Sequence, residues 1–244
     1  MTSQEVRDAF CRLLALKTVP VGVKWCKTAE DWKSYQVPSA KLSFCQAVKG
    51  AAHLGWSLAC PADQMGCFTA QMIFGFRPPS ERDIEHHQKQ FTANPDIARR
   101  MVENKPKFAP GEVAGILTGP LGSAFEPDVV IFIVDSLQAM GLIESYTYSK
   151  GETLRFANGV SSAICSYGAV VAEQTREPNL AIPCVGAKRY GTFQDHEMAF
   201  CVPFTAAAEM ASSALAMERA KQFPIPIGTA FLSPTIPMNY ILKQ

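Results

Sequence analysis

No run of eighteen apolar residues occurs in this 244-residue chain, so no segment reads as a bilayer-spanning helix. The first ten residues carry charges where a signal peptide needs its apolar stretch, and the expected compartment is the cytoplasm. Charge of one sign is lacking too. The 23 Lys and Arg against 22 Asp and Glu leave a formal net charge of +1, which argues against a dedicated nucleic-acid binder. No G-x-G-x-x-G, no G-x-x-x-x-G-K-S/T and no G-x-S-x-G is present, so nucleotide-phosphate cradles and hydrolase elbows are unsupported. No C-x-x-C pair occurs, the arrangement most structural zinc sites and ferredoxin-like clusters show. No Pro-, Gly- or Ser-rich linker divides the chain. One compact domain over residues 1–222 is expected, in two units of about 1–110 and 111–222, followed by an extended arm over 223–244.

The chain is 48% hydrophobic and 18% charged, a globular composition. Thr2-Ser-Gln-Glu5 is a capping box with Val6, Phe10, Leu13 and Leu14 following at helical spacing, which predicts a helix ending near Lys17. Residues 20–25 read as a strand. Ser43-Phe-Cys-Gln46 caps a helix to about Gly55. A short strand is expected at 56–59, a helix at 80–92, and another starting at Asn94-Pro95. The β-branched runs 113–118 and 129–134 predict central strands. Helix is expected over 163–174, strand over 197–202, and a long Ala- and Met-rich helix over 205–222. The fold class is α/β, with a mixed α+β arrangement the variant.

Two stretches read alike. C-Q-A-V-K-G-A, L58-A-C-P and G66-C-F are paralleled by C-S-Y-G-A, L180-A-I-P, Cys184 and G191-T-F. Cys45 and Cys165 lie 120 positions apart, and the two L-A-x-P segments 122. A duplicated α/β unit would bring both cysteine pairs to one seam.

Eight cysteines are many for a cytosolic chain of this length, and in a reducing compartment that excess points to metal or catalysis before disulfides. Cys45 falls in the first turn of a helix, where unpaired N–H groups favour a thiolate. Cys165 is placed similarly if Ser162 is its cap, while Cys67 and Cys184 fall in predicted turns. Four such thiolates can hold a tetrahedral zinc or an iron–sulfur cluster. Cys11, Cys26, Cys60 and Cys201 are expected to pack as small hydrophobes. Within Asp195-His-Glu197, Glu197 is the candidate acid or base. Lys188-Arg189 suits an anion, and His86-His87 read as a solvated face.

In combination, P-V-G-V-K, S-F-C-Q-A-V-K, C-x-x-x-x-x-x-F-G-F, A-N-G-V-S-S-x-x-C and P-C-V-G-A-K-R-Y-G-T-F-Q-D-H-E-M-A-F-C-V-P resemble the prokaryotic ArCR family, domain of unknown function 169, from about Leu14 to Met217. The resemblance implies that Cys45, Cys67, Cys165, Cys184 and Glu197 are its recurring residues. The chain departs from the common G-C-x-G of the second block at Pro183-Cys184-Val-Gly. The expectation is a [4Fe–4S] protein, with zinc or no cofactor as alternatives. If an enzyme, it is a cluster-dependent oxidoreductase or lyase with Glu197 catalytic. Its partner is a small-molecule substrate or redox partner, with no nucleic acid and no membrane. The arm, rich in proline and apolar residues, is expected to dock partly on a second subunit in a homo-oligomer.

Overall fold

A computed structural model describes residues 1–223; residues 224–244, and with them nearly all of the expected arm and its docking, lie outside the described residues. Helix α1 (Ser3–Leu13) starts at the anticipated box, with Thr2 Oγ1 accepting from the Glu5 amide and Glu5 Oε2 from the Thr2 amide. It stops earlier than expected, before Ala15, whose φ of 46° leaves the right-handed region. Strand β1 (Val21–Cys26) leads to α2 (Phe44–Leu54), which Ser43 and Gln46 cap reciprocally and Gly55 closes with a left-handed φ of 72°. Strand β2 (Leu58–Pro61) precedes a short helix α3 (Phe68–Ile73), then α4 (Glu81–Phe91), α5 (Pro95–Asn104) and β3 (Gly115–Pro120). After β4 (Val129–Val134) comes α6 (Ser136–Lys150), then a π-helical stretch Ala163–Val170 that runs into α7 (Val171–Thr175). Strand β5 (Asn179–Ala181), α8 (Val185–Gly191), β6 (Met198–Pro203) and α9 (Phe204–Arg219) complete the described chain.

The six strands form one antiparallel sheet in the order β2-β3-β1-β4-β6-β5. Helices cover both faces, so the architecture is mixed α/β with a sandwiched sheet. Strand β4, V-V-I-F-I-V, shows why. Val129, Ile131 and Ile133 belong to the core that includes the π-helical stretch and α2 to α5, and Val130, Phe132 and Val134 to the one formed with α1, α6 and α9. A strand buried on both faces reads as a continuous apolar run.

The order has an internal symmetry. Exchanging β1 with β4, β2 with β5 and β3 with β6 reverses it and restores the same sheet. The central pair β1·β4 is antiparallel, as a twofold axis through the sheet requires, and both edges are short strands. The two trios are topological counterparts. Descent from one duplicated unit stays a proposal.

Differences from the sequence reading have local causes. Strands β2 and β3 each begin two residues later than anticipated, because cross-strand pairing (Leu58 with Thr118, Pro61 with Gly115) sets their ends. Pro61 is admissible there because β2 is an edge. Helix α6 was not anticipated at all. Its buried face holds Gln138, Ala139, Gly141, Ser145 and Tyr146 beside Leu142, so the apolar period is faint. The Asp135–Gln138 capping box was its available signal.

Candidate functional site

Four elements deliver one sulfur each to a common cavity of about 480 Å³. Cys45 is the second residue of α2. Cys67 and Cys184 are the N-cap residues of α3 and α8, so the stretches read as turns are the starts of short helices. Cys165 lies within the π-helical stretch. Thus Cys45 and Cys67 come from one trio's side of the fold, and Cys165 and Cys184 from the other. No Asp or Glu lines the cavity; Ser161, Ser162, Phe68, His86, Arg189 and Tyr190 share its wall with the sulfurs.

Close packing holds the walls together. A Cβ at Gly191 would come within 2.6 Å of Cys45 Cβ, so α8 approaches α2 only because that residue is glycine. On the other side Ser162 has φ 60°, left-handed without being glycine, and makes no capping bond. It is not the cap that would have placed Cys165 at an ordinary helix start. Two tertiary bonds retain this stretch: Ser166 Oγ donates to Pro106 O (2.6 Å) and Asn179 Nδ2 to Tyr167 O (2.5 Å); Asn179 also holds the preceding segment through Ala157 O (2.8 Å). Stretches of π-helix and left-handed non-glycine residues concentrate at functional sites.

The electrostatics follow from enclosure. Burial pushes the Cys45 thiol well above its ordinary value, and Cys165, Cys184 and Cys67 raise it further. Burial does the same to Cys165, with Cys67 and Cys184 adding to it. At Cys67 burial also raises the thiol, opposed by the Ala70 and Thr69 amides of the first turn of α3. Burial and neighbouring sulfur thus favour the protonated thiol at Cys45, Cys67 and Cys165 unless a cation enters.

Behind the cavity runs a buried polar chain that sequence reasoning missed. Lys105 is 3% exposed, and its Nζ donates to Ser161 O and Oγ, both at 3.2 Å. Ser161 Oγ lies 3.2 Å from His87 Nε2, and His87 Nδ1 lies 2.6 Å from Asp83 O. Asp83 holds Arg77 through two 2.7 Å bonds and accepts from Ser80. His87 is fully buried, which corrects its reading as a solvated residue; its neighbour His86 lines the cavity. The signal was present in Ile84 and His87, which lie on one side of α4 at a spacing of three. Burial lowers the His87 pKa, so the ring is neutral. A carbonyl accepts only, hence Nδ1 carries the proton, Nε2 accepts from the Ser161 hydroxyl, and that oxygen receives Lys105.

Glu197 sits elsewhere. This candidate acid or base lines an adjoining pocket, which shares Gln46 and Tyr190 with the first. Both its carboxylate oxygens accept from Lys49 Nζ (2.9 and 2.8 Å), and Gln194 N donates to Oε2 at 2.7 Å. Lys49 Nζ also lies 3.1 Å from His53 Nε2. Burial raises the Glu197 pKa, but Lys49 and the Gln194 amide outweigh it, and the net shift is downward. Its place follows from β6 beginning at Met198, which sets the preceding loop against the middle of α2, where Lys49 stands. Lys188 is spent on Asp195, whereas Arg189 lines the cysteine cavity.

The other sulfurs lie apart. Cys26, Cys60 and Cys201 are buried, with burial pushing Cys26 and Cys60 up to about 11, and Cys201 packs against Gly168. Cys11 is half-buried, less enclosed than expected. Among the described residues no helix is long and apolar enough to cross a membrane, and no three His, Cys, Asp or Glu side chains gather as a single-ion site.

No solved structure matches this chain. The uncharacterized protein MJ0308 of Methanocaldococcus jannaschii is 25% identical over 213 residues, covering 83% of this chain and 91% of that one. A model of the uncharacterised ArCR family, domain of unknown function 169, matches residues 9–213, and the chain belongs to that family.

Proposed function

We propose that the protein holds a [4Fe–4S] cluster through Cys45, Cys67, Cys165 and Cys184 and uses it on a small molecule admitted to the same cavity. The observation that carries this reading is the convergence of four thiols from four elements on one carboxylate-free cavity. The donor set fits. Thiolates are the ligands such clusters take, and iron cations would offset the burial and the sulfur–sulfur repulsion that raise the Cys45 and Cys165 thiols. A single zinc ion needs its four sulfurs about 3.8 Å apart for tetrahedral bonds of about 2.3 Å.

The cluster would supply one-electron reduction or, with one iron left open, a Lewis acid. The chain's own groups do the rest. Cys67 stands at the N-cap of α3 and lines the cavity. Val185 and Tyr190 line the opening and are 64% and 61% exposed, so they offer apolar surface to an organic substrate or a redox partner. Glu197, ionised and tied to Lys49, serves the adjoining pocket; a catalytic part for it requires that its bond to Lys49 opens.

Anaerobic purification or reconstitution with iron and sulfide tests this. The expected result is brown protein with broad visible absorption, about four irons and equal acid-labile sulfide per chain. Substituting any one of the four cysteines by Ala lowers the iron content, while Cys11→Ala leaves it unchanged. Colourless protein without iron after reconstitution overturns the reading; stoichiometric zinc would favour the structural-metal alternative, and neither metal a cluster-free ligand pocket.

A further inference from the structure

The pocket beside the cysteine cavity has a volume of about 450 Å³ and a lining of its own. Its floor is the Lys49–Glu197 pair, whose side chains are only 9% and 12% exposed. Its walls include Leu54, Trp56 and Tyr190, large apolar side chains left exposed. Trp56 is held in place by α2. A Cβ at Gly50 would come within 2.1 Å of Trp56 Cε3, and Trp56 N donates to Gly50 O at 3.3 Å. The indole is thus fixed on one side while 41% exposed, which leaves aromatic surface for stacking. An aromatic-walled pocket with a few convergent polar groups is the usual form of a small-molecule site.

The polar groups of the floor restrict what can enter. An ammonium has three N–H donors. Those of Lys49 are taken by both oxygens of Glu197 and by His53 Nε2, and the Phe193 ring lies 4.9 Å from Nζ. No donor of Lys49 is left for an anion, and the ion pair cancels its own charge. His53 Nε2, facing an ammonium, can only accept, and burial and Lys49 both keep the ring neutral. The ring proton therefore sits on Nδ1, which donates to nothing among the described residues. Glu197 Oε2 accepts from Lys49 and from Gln194 N, whereas Oε1 accepts from Lys49 alone among the described residues and keeps a lone pair. The floor thus offers one free donor and one free acceptor, with no net charge. We infer that this pocket is a binding site for an uncharged planar heterocycle, which stacks on Trp56 beside Tyr190, presents a C=O to His53 Nδ1 and an N–H to Glu197 Oε1. A ring with an amide group in it meets both, and the Lys49–Glu197 pair stays closed. An anion would face Glu197, and a plain aromatic ring would leave both polar groups without a partner. The inference goes beyond the cluster reading and does not depend on it, since no cysteine among the described residues lines this pocket.

The test uses the full chain and three probes of one ring size, carbostyril, quinoline and quinaldate, titrated by saturation-transfer-difference NMR of the probe. Carbostyril is uncharged and carries the N–H and C=O in its ring; quinoline has the same shape without them, and quinaldate adds a carboxylate. The expected result is that carbostyril binds about tenfold tighter than either of the others. His53→Phe keeps a ring and removes the donor, and Trp56→Ala removes the stacking surface; each weakens carbostyril by about tenfold. His86→Ala, at a position lining the cysteine cavity and not this pocket, leaves carbostyril binding unchanged. His53 and Trp56 are both exposed, and circular dichroism checks each variant's fold; should one fail, the other carries the comparison. Absence of carbostyril binding, equal binding of carbostyril and quinoline, or carbostyril binding that survives in the folded His53 and Trp56 variants overturns the inference. Each of these outcomes leaves the cluster reading standing, because iron content tests that reading separately.

Discussion

The two trios of strands each bring two cysteines to one cavity, by different means. In the first, Cys45 stands on a regular helix whose start is dictated locally, by Ser43 and Gln46 bonding each other's backbone. In the second, Cys165 stands on a π-helical stretch entered through a left-handed Ser162 and kept in place by partners such as Pro106 and Asn179. Cys67 and Cys184, by contrast, share one device, the N-cap position of a short helix just after an edge strand. The comparison teaches that one half of the site is written in short-range sequence, whereas the other is imposed by its surroundings and stores strain that those surroundings must hold.

The largest expected effect comes from loosening what stands behind the strained half. Asp83 is fully buried, and removing its charge leaves Arg77 with a broken pair; Asp83→Asn should cost about 3–5 kcal/mol by urea denaturation. A variant within 1 kcal/mol of the parent would show that the polar chain is not a support. The pH dependence has a definite sign. Burial raises the Asp83 carboxyl, but Arg77 and Ser80 outweigh it, and its folded pKa falls below the ordinary 3.8. Its contribution is thus present above about pH 4 and is lost as pH falls through the lower folded value, where the unfolded chain binds the proton more readily. Asp83→Asn should flatten that acid limb.

A smaller effect is expected where the halves meet. Gly191→Ala sets a Cβ 2.6 Å from that of Cys45 and must push α8 from α2, costing about 1–3 kcal/mol and lowering iron uptake. Unchanged stability and iron uptake would show that the junction yields without disturbing the site.

The smallest pair of changes tests the contrast itself. Ser43→Ala removes a cap and should cost about 1 kcal/mol. Ser162→Gly relieves a left-handed φ of 60° and should be neutral or stabilising by up to about 1 kcal/mol, despite losing the hydroxyl that lies 3.3 Å from Ser161 Oγ. Equal losses at both positions would erase the distinction between a locally written and an imposed helix start.

Legibility followed the range of the interactions. Capping boxes at Thr2 and Ser43, the apolar run Val129–Val134 and the long α9 were readable, because each rests on neighbours a few residues away. The four cysteines were selected by the same short-range cues and by family resemblance, and the cavity gathers them. The partner of Glu197 was not legible, since nothing near it in sequence announces Lys49, 148 positions away. His87 was mistaken for a surface residue because its partner Ser161 is 74 positions distant, and Lys105 was passed over for the same reason, with 56 positions to Ser161.

By itself, then, the sequence determined the helices with caps, the strand buried on both faces, and the place of Cys45 in the first turn of a capped helix. Those outcomes depend on backbone hydrogen bonding and apolar period within a turn or two. Only the tertiary structure decided the palindromic strand order, the π-helical seat of Cys165 and the buried ammonium behind it. Each of these is a balance between strain or desolvation and contacts made across more than fifty residues of chain, and no short window of sequence contains both sides of that balance.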